Sequence, residues 1–169
     1  KAILPIINSS LFWFYLSNTG NVLRGGYIGV KRKVLEPFSI PNPDEIEVDE
    51  LERFTEVMLE NNGKHQSLSG KFTKYIQSKF GIEKLSRKLQ HWYELGFGEF
   101  ITELNKAIKK ARGEKLTKIN EMEWMEVFET KKAEAVALKN EIDKTDREID
   151  RMVYELYNLT EEEIQIVEQ

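Results

Sequence analysis

The segment from Leu23 to Pro41, LRGGYIGVKRKVLEPFSIP, places three glycines, four cationic side chains and a tyrosine within its first eleven positions. Residues of these types could cradle a phosphate, close a hairpin or touch nucleic acid. A Walker-type phosphate loop needs two glycines flanking four residues, then a lysine and a hydroxyl residue opening a helix. Gly20 and Gly25 have that gap, but Gly26-Tyr27 follows and no Lys-Ser/Thr pair appears. The dinucleotide spacing fails as well, because Gly26-x2-Gly29 is preceded by Gly25 rather than by Gly-x. A hairpin suits the residues better. The TGN and RGG steps can turn, with Tyr27, Gly29 and Lys31 on one face and Ile28, Val30 and Arg32 on the other. Such a ribbon gathers Arg24, Lys31, Arg32 and Lys33 near one end, where arginine can pair with guanine and lysine can meet phosphate. Two readings stand open: a hairpin that closes a small core, and a ribbon that contacts DNA. On the second, the candidate contacts are Arg24, Gly25, Gly26, Tyr27, Lys31, Arg32 and Lys33.

Acid–base and metal chemistry find less support. Pro43-Asp44 could open a nuclease carboxylate motif, but no acidic-x-Lys follows at a useful distance within a strand pattern. Asn42-Pro43-Asp44-Glu45 lacks the second proline and the aromatic residue of the amino-methyltransferase motif. His65 and His91 have no second histidine at ligand spacing and read as surface or helix-packing residues. Trp92, Trp124 and the phenylalanines read as core rather than as base-stacking platforms. No catalytic constellation emerges, so the expectation for this chain is no enzymatic activity, no metal and no cofactor of its own.

The chain has 169 residues, enough for one ordinary domain or a small domain with an appendage. Hydrophobic residues at 40% and aromatics at 11% can build a core and argue against global disorder. The absence of cysteine excludes a disulfide framework and thiolate metal sites, and fits a cytoplasmic origin. Two Asn-x-Ser/Thr triplets, at Asn8 and Asn158, read as chance. No apolar run reaches the roughly 18 residues of a spanning helix, so no membrane association is expected. The start at Lys1, directly in an apolar segment, suggests a piece of a longer protein. Net charge is −4 but unevenly spread: +4 over residues 1–43, −7 over 44–60, +8 over 61–120 and −9 over 121–169. Alternating blocks allow a basic face beside acidic ones, and they equally suit helix faces merely solvated by lysine.

These groups need elements to position them. Residues 1–43 hold the β-like, glycine-rich character, with Val22, Tyr27, Ile28, Val30, Val34 and Ile40 as strand formers. LFWFYL, at Leu11 to Leu16, reads as a buried strand or a helix turn. Pro41 and Pro43 end that region, which places a boundary between residues 1–43 and 44–169. Beyond it the spacing is helical. One helix carries Leu51, Phe54 and Met58 and stops at ENNG (Glu60–Gly63). A second carries Phe72, Tyr75 and Ile76, a third Leu85, Leu89 and Trp92, and a fourth Phe100, Ile101, Leu104 and Ile108. From about 122 to 157, Trp124, Phe128, Lys131, Ala135, Leu138, Ile142, Thr145, Ile149, Met152 and Leu156 alternate steps of four and three, a coiled-coil stripe. So narrow a seam needs a partner helix from this chain or another. Thr160 and Glu163 form the pattern of a capping box. The expected fold is α+β and mostly α: a small β-containing N-terminal piece, then a helical bundle with one long coiled-coil-like helix.

Three segments in order resemble the C-terminal region of type IIG-like fused restriction–modification enzymes. LFWFYLSNTGNVLRGGYIGVKRKVLEPFSIPNP is similar to the end of the TaqI-like C-terminal specificity domain. KLQHWYELGFGEFITEL, KKARGEKL and EMEWMEVFETKKAEA resemble the helical region after it. EIDKTDREIDRMVYELYNLTEEEIQIVE resembles the terminal segment of many such enzymes and, more loosely, helices of type I specificity subunits. The resemblance implies a target-recognition fragment that contacts double-stranded DNA, joined to an upstream adenine-N6 methyltransferase. S-adenosylmethionine would serve that parent, with magnesium if it carries a nuclease. The family's Asn-Pro-Pro-Tyr motif and cofactor loop are missing here, which would put catalysis upstream of Lys1. A competing expectation is a helical interaction module that docks onto the methyltransferase body or self-associates.

Overall fold

The computed structural model describes residues 3–41 and 48–169. The expected boundary at Pro43/Asp44 and the carboxylate of Asp44 lie outside the described residues. The elements are α1 (Ile3–Asn8), α2 (Ser10–Thr19), β1 (Asn21–Val22), β2 (Ile28–Gly29), α3 (Arg32–Leu35), α4 (Val48–Phe80), α5 (Arg87–Gln90), α6 (Phe97–Lys110), α7 (Lys118–Leu156) and α8 (Glu161–Val167), with a 3₁₀ turn at Trp92–Glu94. The fold is therefore α+β and mostly α, with a two-stranded sheet near the N-terminus. It forms two compact units, Lys1–Leu59 with Asp143–Gln169, and Glu60–Ile142. The long helices α4 and α7 each contribute turns to both.

In the first unit LFWFYL is neither a strand nor a single turn but the centre of the ten-residue helix α2. Ser9 caps it, its hydroxyl accepting from the Phe12 N–H at 3.2 Å and donating to the Ile6 carbonyl at 2.7 Å. At the first residue of the helix, the Asp150 carboxylate of α7 accepts from both the backbone N–H and the hydroxyl of Ser10, at 2.8 and 2.6 Å. A carboxylate at a helix N-terminus is stabilised by the open N–H groups there, and this one spans 140 residues of sequence. The local caps thus outweigh the β-propensity of the aromatic run. Ile6 of α1 packs with Ile149 and Val153 of α7, and Phe12 and Leu16 of α2 with Val34 of α3. Thr160 and Glu163 make the expected capping box at the start of α8.

α4 runs without a break through ENNG, where the sequence suggests a stop. A mid-helix glycine costs about 1 kcal/mol against alanine. Burying Leu51 before it, and Phe72 and Ile76 after it, contributes about 1.5–3 kcal/mol per side chain. Packing on both sides therefore carries the helix across Gly63. The same logic shortens the third helix: Leu89 lies in α5, Trp92 in the 3₁₀ turn and Leu85 just ahead of both, and all three are buried. Their burial does not require a continuous helix. In the second unit they join Phe72, Phe100, Leu104, Trp124 and Phe128 in one core, with Phe72–Trp92 and Phe100–Phe128 rings 4.0 and 4.5 Å apart.

α7 carries the long stripe. Trp124, Phe128, Ala135, Ile142, Thr145 and Ile149 are buried, while Lys131, Leu138, Met152 and Leu156 are half-buried. Its partners come from this chain. In the second unit Trp124, Phe128 and Ala135 pack into the core built from α4, α5 and α6. In the first, Ile149 and Val153 pack on α1, with Phe54 and Met58 of α4 beside them.

Candidate nucleic-acid interface

The candidate contacts sit on a hairpin held against α2. α2 ends at Gly20, whose N–H donates to the Leu16 carbonyl at 2.8 Å. A Cβ there would lie 2.3 Å from Ile28 Cγ2 and 2.6 Å from the Leu16 oxygen, so only glycine fits between helix and strand. β1 and β2 then pair antiparallel, Asn21 opposite Gly29 and Val22 opposite Ile28. The loop between them closes by Gly26 N–H to the Leu23 carbonyl at 3.1 Å and Leu23 N–H to the Tyr27 carbonyl at 2.7 Å. Gly25 and Gly26 have φ of 94° and 83°, the left-handed region that a type II-like turn needs at its third position. These glycines are turn residues. Among the described residues no three His, Asp or Glu side chains group as metal ligands.

The ribbon is shorter than its alternation suggests. Val30 would have to pair with Gly20, whose N–H is already committed to α2. The strand therefore ends at Gly29, and Lys31 becomes the N-cap of the helical turn α3. Val34 is buried as the anchor of that turn rather than as a strand residue. The cations consequently fall into two groups instead of clustering at one end. Arg24 and Tyr27 lie at the closed turn, and Lys31, Arg32 and Lys33 at the open end, four residues or about 13 Å of extended chain beyond Tyr27. All are exposed, Tyr27 at 74%. Arg32 is engaged by Glu36, Nε to Oε1 at 2.7 Å. Arg24, Lys31 and Lys33 have no acidic partner among the described residues.

The second unit holds a basic surface that no motif in the sequence marks. A groove of about 1030 Å³ is bordered by Gly81–Arg87, Gln90 and the C-terminal half of α6 with the residues after it. Lys84, Arg87, Lys106, Lys110 and Arg112 line it together with Glu83 and Glu103. Lys106 pairs with Glu103 at 2.8 Å, and that hydrogen bond holds the Glu103 carboxyl below its ordinary range. The excess of cations over residues 61–120, and the basic stretch KKARGEK that holds Lys110 and Arg112, were the traces of this groove in the sequence. His65 and His91, far apart in the chain, both meet Tyr93, with ring centres 4.7 and 6.2 Å away. Burial, and then the charge of Lys139, lower the His65 pKa below its usual value.

A mostly helical α+β chain with exposed cations on a hairpin and on the helical turn after it, and with a basic groove, is the class this geometry defines. The chain belongs to the family described as a domain of unknown function (DUF8810), which matches residues 44–153. That span includes the groove and all of the second unit and leaves out the hairpin and α8. No curated protein and no solved structure matches the chain. Among the described residues no helix is long and apolar enough to cross a membrane.

Proposed function

We propose that the chain is a non-catalytic DNA-contacting module, the specificity end of a restriction–modification enzyme whose methyltransferase lies elsewhere in the protein. The observation that carries this reading is the hairpin and its following turn. They present Arg24, Lys31 and Lys33 to solvent with no carboxylate partner among the described residues, in a protein of net charge −4. Exposed cations without carboxylate partners suit phosphate and base-edge contacts. Tyr27, exposed beside Arg24, adds a flat side chain of the kind that packs on a sugar or a base. The resemblance of the first 43 residues to a recognition domain agrees with this placement. Titrating the chain into a labelled duplex, wild type against R24E/K33E, tests it. The double variant should bind about tenfold more weakly at low salt and show a shallower salt dependence. Equal affinity and equal slope would refute the assignment.

A second reading, an interaction module, is favoured by the apolar residues that α1 and α2 leave exposed: Ile3, Leu4, Ile7 and Trp13, the last at 63%. Sedimentation of the chain separates the two. A dimer without salt-dependent DNA affinity would favour interaction.

A further inference from the structure

We infer that the groove between Gly81 and Arg112 is a second binding site, for the phosphate backbone of duplex DNA. It rests on the reading of the chain as a DNA-binding module but on different residues in a different unit. Lys84, Arg87, Lys110 and Arg112 are exposed and border one groove although they come from segments more than twenty residues apart. None has a carboxylate partner among the described residues, while Lys106 and Glu103 neutralise each other beside them. The tertiary structure, rather than a run of basic sequence, assembles this patch.

Backbone geometry gives an independent reason to regard Arg112 as more than a helix-end cation. α6 ends in a Schellman motif: Gly113 N–H donates to the Ile108 carbonyl at 3.0 Å and Arg112 N–H to the Lys109 carbonyl at 3.1 Å. The residue between these bonds must be left-handed, and Arg112 has φ of 61°. α7 stops in the same way at Asn158, φ 52°, and α4 ends on left-handed Gly81, φ 62°, with the outer bond alone, Ile82 N–H to the Gln77 carbonyl at 3.0 Å. Glycine and asparagine are the residues that position ordinarily takes. Among the described residues, only at the end of α6, on the rim of the basic groove, does a bulky cation occupy it. The macrodipole of α6 accounts for a cation such as Lys110 in the last turn. It does not account for an arginine in a conformation that glycine would hold with less strain, nor for Lys84 and Arg87 ahead of and within α5.

The chemistry of the groove selects a polyanion read by charge. Its volume far exceeds a single phosphate, and its apolar side chains are Ile82 and Leu85, both buried in the core, with the small, partly buried Ala107 and Ala111, none of them aromatic. A peptide partner needs desolvated apolar or aromatic anchor pockets, whereas a nucleic-acid backbone needs spaced cations and backbone approach.

Anisotropy of a labelled mixed-sequence duplex of about 24 base pairs, from about 50 to 200 mM salt, tests the inference. The proteins are the full chain, K84Q/R87Q/K110Q/R112G, R24Q/K31Q/K33Q and the single variant R112G. Each phosphate contact contributes about −0.9 to the slope of log K against log salt. The groove variant should therefore bind at least about tenfold more weakly, with a slope shallower by about 3 to 4. R112G alone should bind several-fold more weakly while its Tm stays level or rises. A groove variant within twofold of wild type, with the same slope, overturns the inference. If only the hairpin variant loses affinity, the hairpin assignment stands and the groove assignment falls; if only the groove variant loses affinity, the chain is still a DNA-binding module but the groove, not the hairpin, carries it. A wild-type chain without salt-dependent binding refutes both. A fall in Tm for R112G would make Arg112 structural and overturn its role. Loss of self-association with DNA affinity unchanged would assign the groove to an acidic protein surface instead.

Discussion

Replacing Phe128 by alanine should unhinge the second unit. The side chain is fully buried, at 0% exposure, on the inner stripe of α7. Its ring stacks on Phe100 at 4.5 Å and lies 5.7 Å from Phe97 and 6.0 Å from Trp92. The Lys132 ammonium sits 5.8 Å over the same ring and donates to the Leu95 carbonyl at 2.7 Å, so the contact also ties α7 to the loop ahead of α6. Truncating a buried phenylalanine costs about 3–5 kcal/mol, of which about 0.5–1.5 reflects each well-placed aromatic pair. An expected loss of about 4 kcal/mol is a large part of the 5–15 kcal/mol that typically holds a domain together. Urea unfolding followed by tryptophan fluorescence measures it directly. Of the three tryptophans, Trp92 and Trp124 lie in the second unit, in ring contact with the same aromatic cluster. Phe128→Leu keeps most of the volume and should lose no more than about 1.5 kcal/mol. A loss below about 1 kcal/mol for Phe128→Ala would show that the aromatic cluster does not hold α6 and α7 together.

Gly63→Ala and Gly70→Ala, both inside α4 where an added Cβ meets nothing within 4 Å, should each stabilise the chain by about 0.5–1 kcal/mol. A fall in Tm for either would mean that α4 is not continuous there. Tyr154 gives a pH signature: burial first, then the charges of Asp150 and Glu168, push its phenol up to about 12 in the folded chain. The unfolded phenol ionises near 10, so above that pH the unfolded state gives up a proton that the folded state keeps. Stability should therefore decline between about pH 10 and 12. Tyr154→Phe removes the phenol that titrates and should flatten that decline. Alkaline unfolding curves that superimpose for the two proteins would contradict this.

Local patterns made much of the helical frame legible. α6 follows from the spacing of Phe100, Leu104 and Ile108, the long helix from the stripe beginning at Trp124, and the start of α8 from Thr160 and Glu163. Those features depend on periodicity and on bonds between near neighbours, which a linear sequence carries in full. The hairpin's glycines were equally readable, because a positive φ is a requirement on a single residue. The limits of each element were not. The sequence could not show that Gly20 spends its N–H on α2 and so ends the ribbon at Gly29, or that packing before and after Gly63 carries α4 through a stop signal. Nor could it show that Lys84 and Arg87 come to border the same groove as Lys110 and Arg112. Propensity and spacing are local quantities, whereas strand length, helix continuity and a charged groove depend on groups distant in the chain competing for the same space and the same hydrogen bonds.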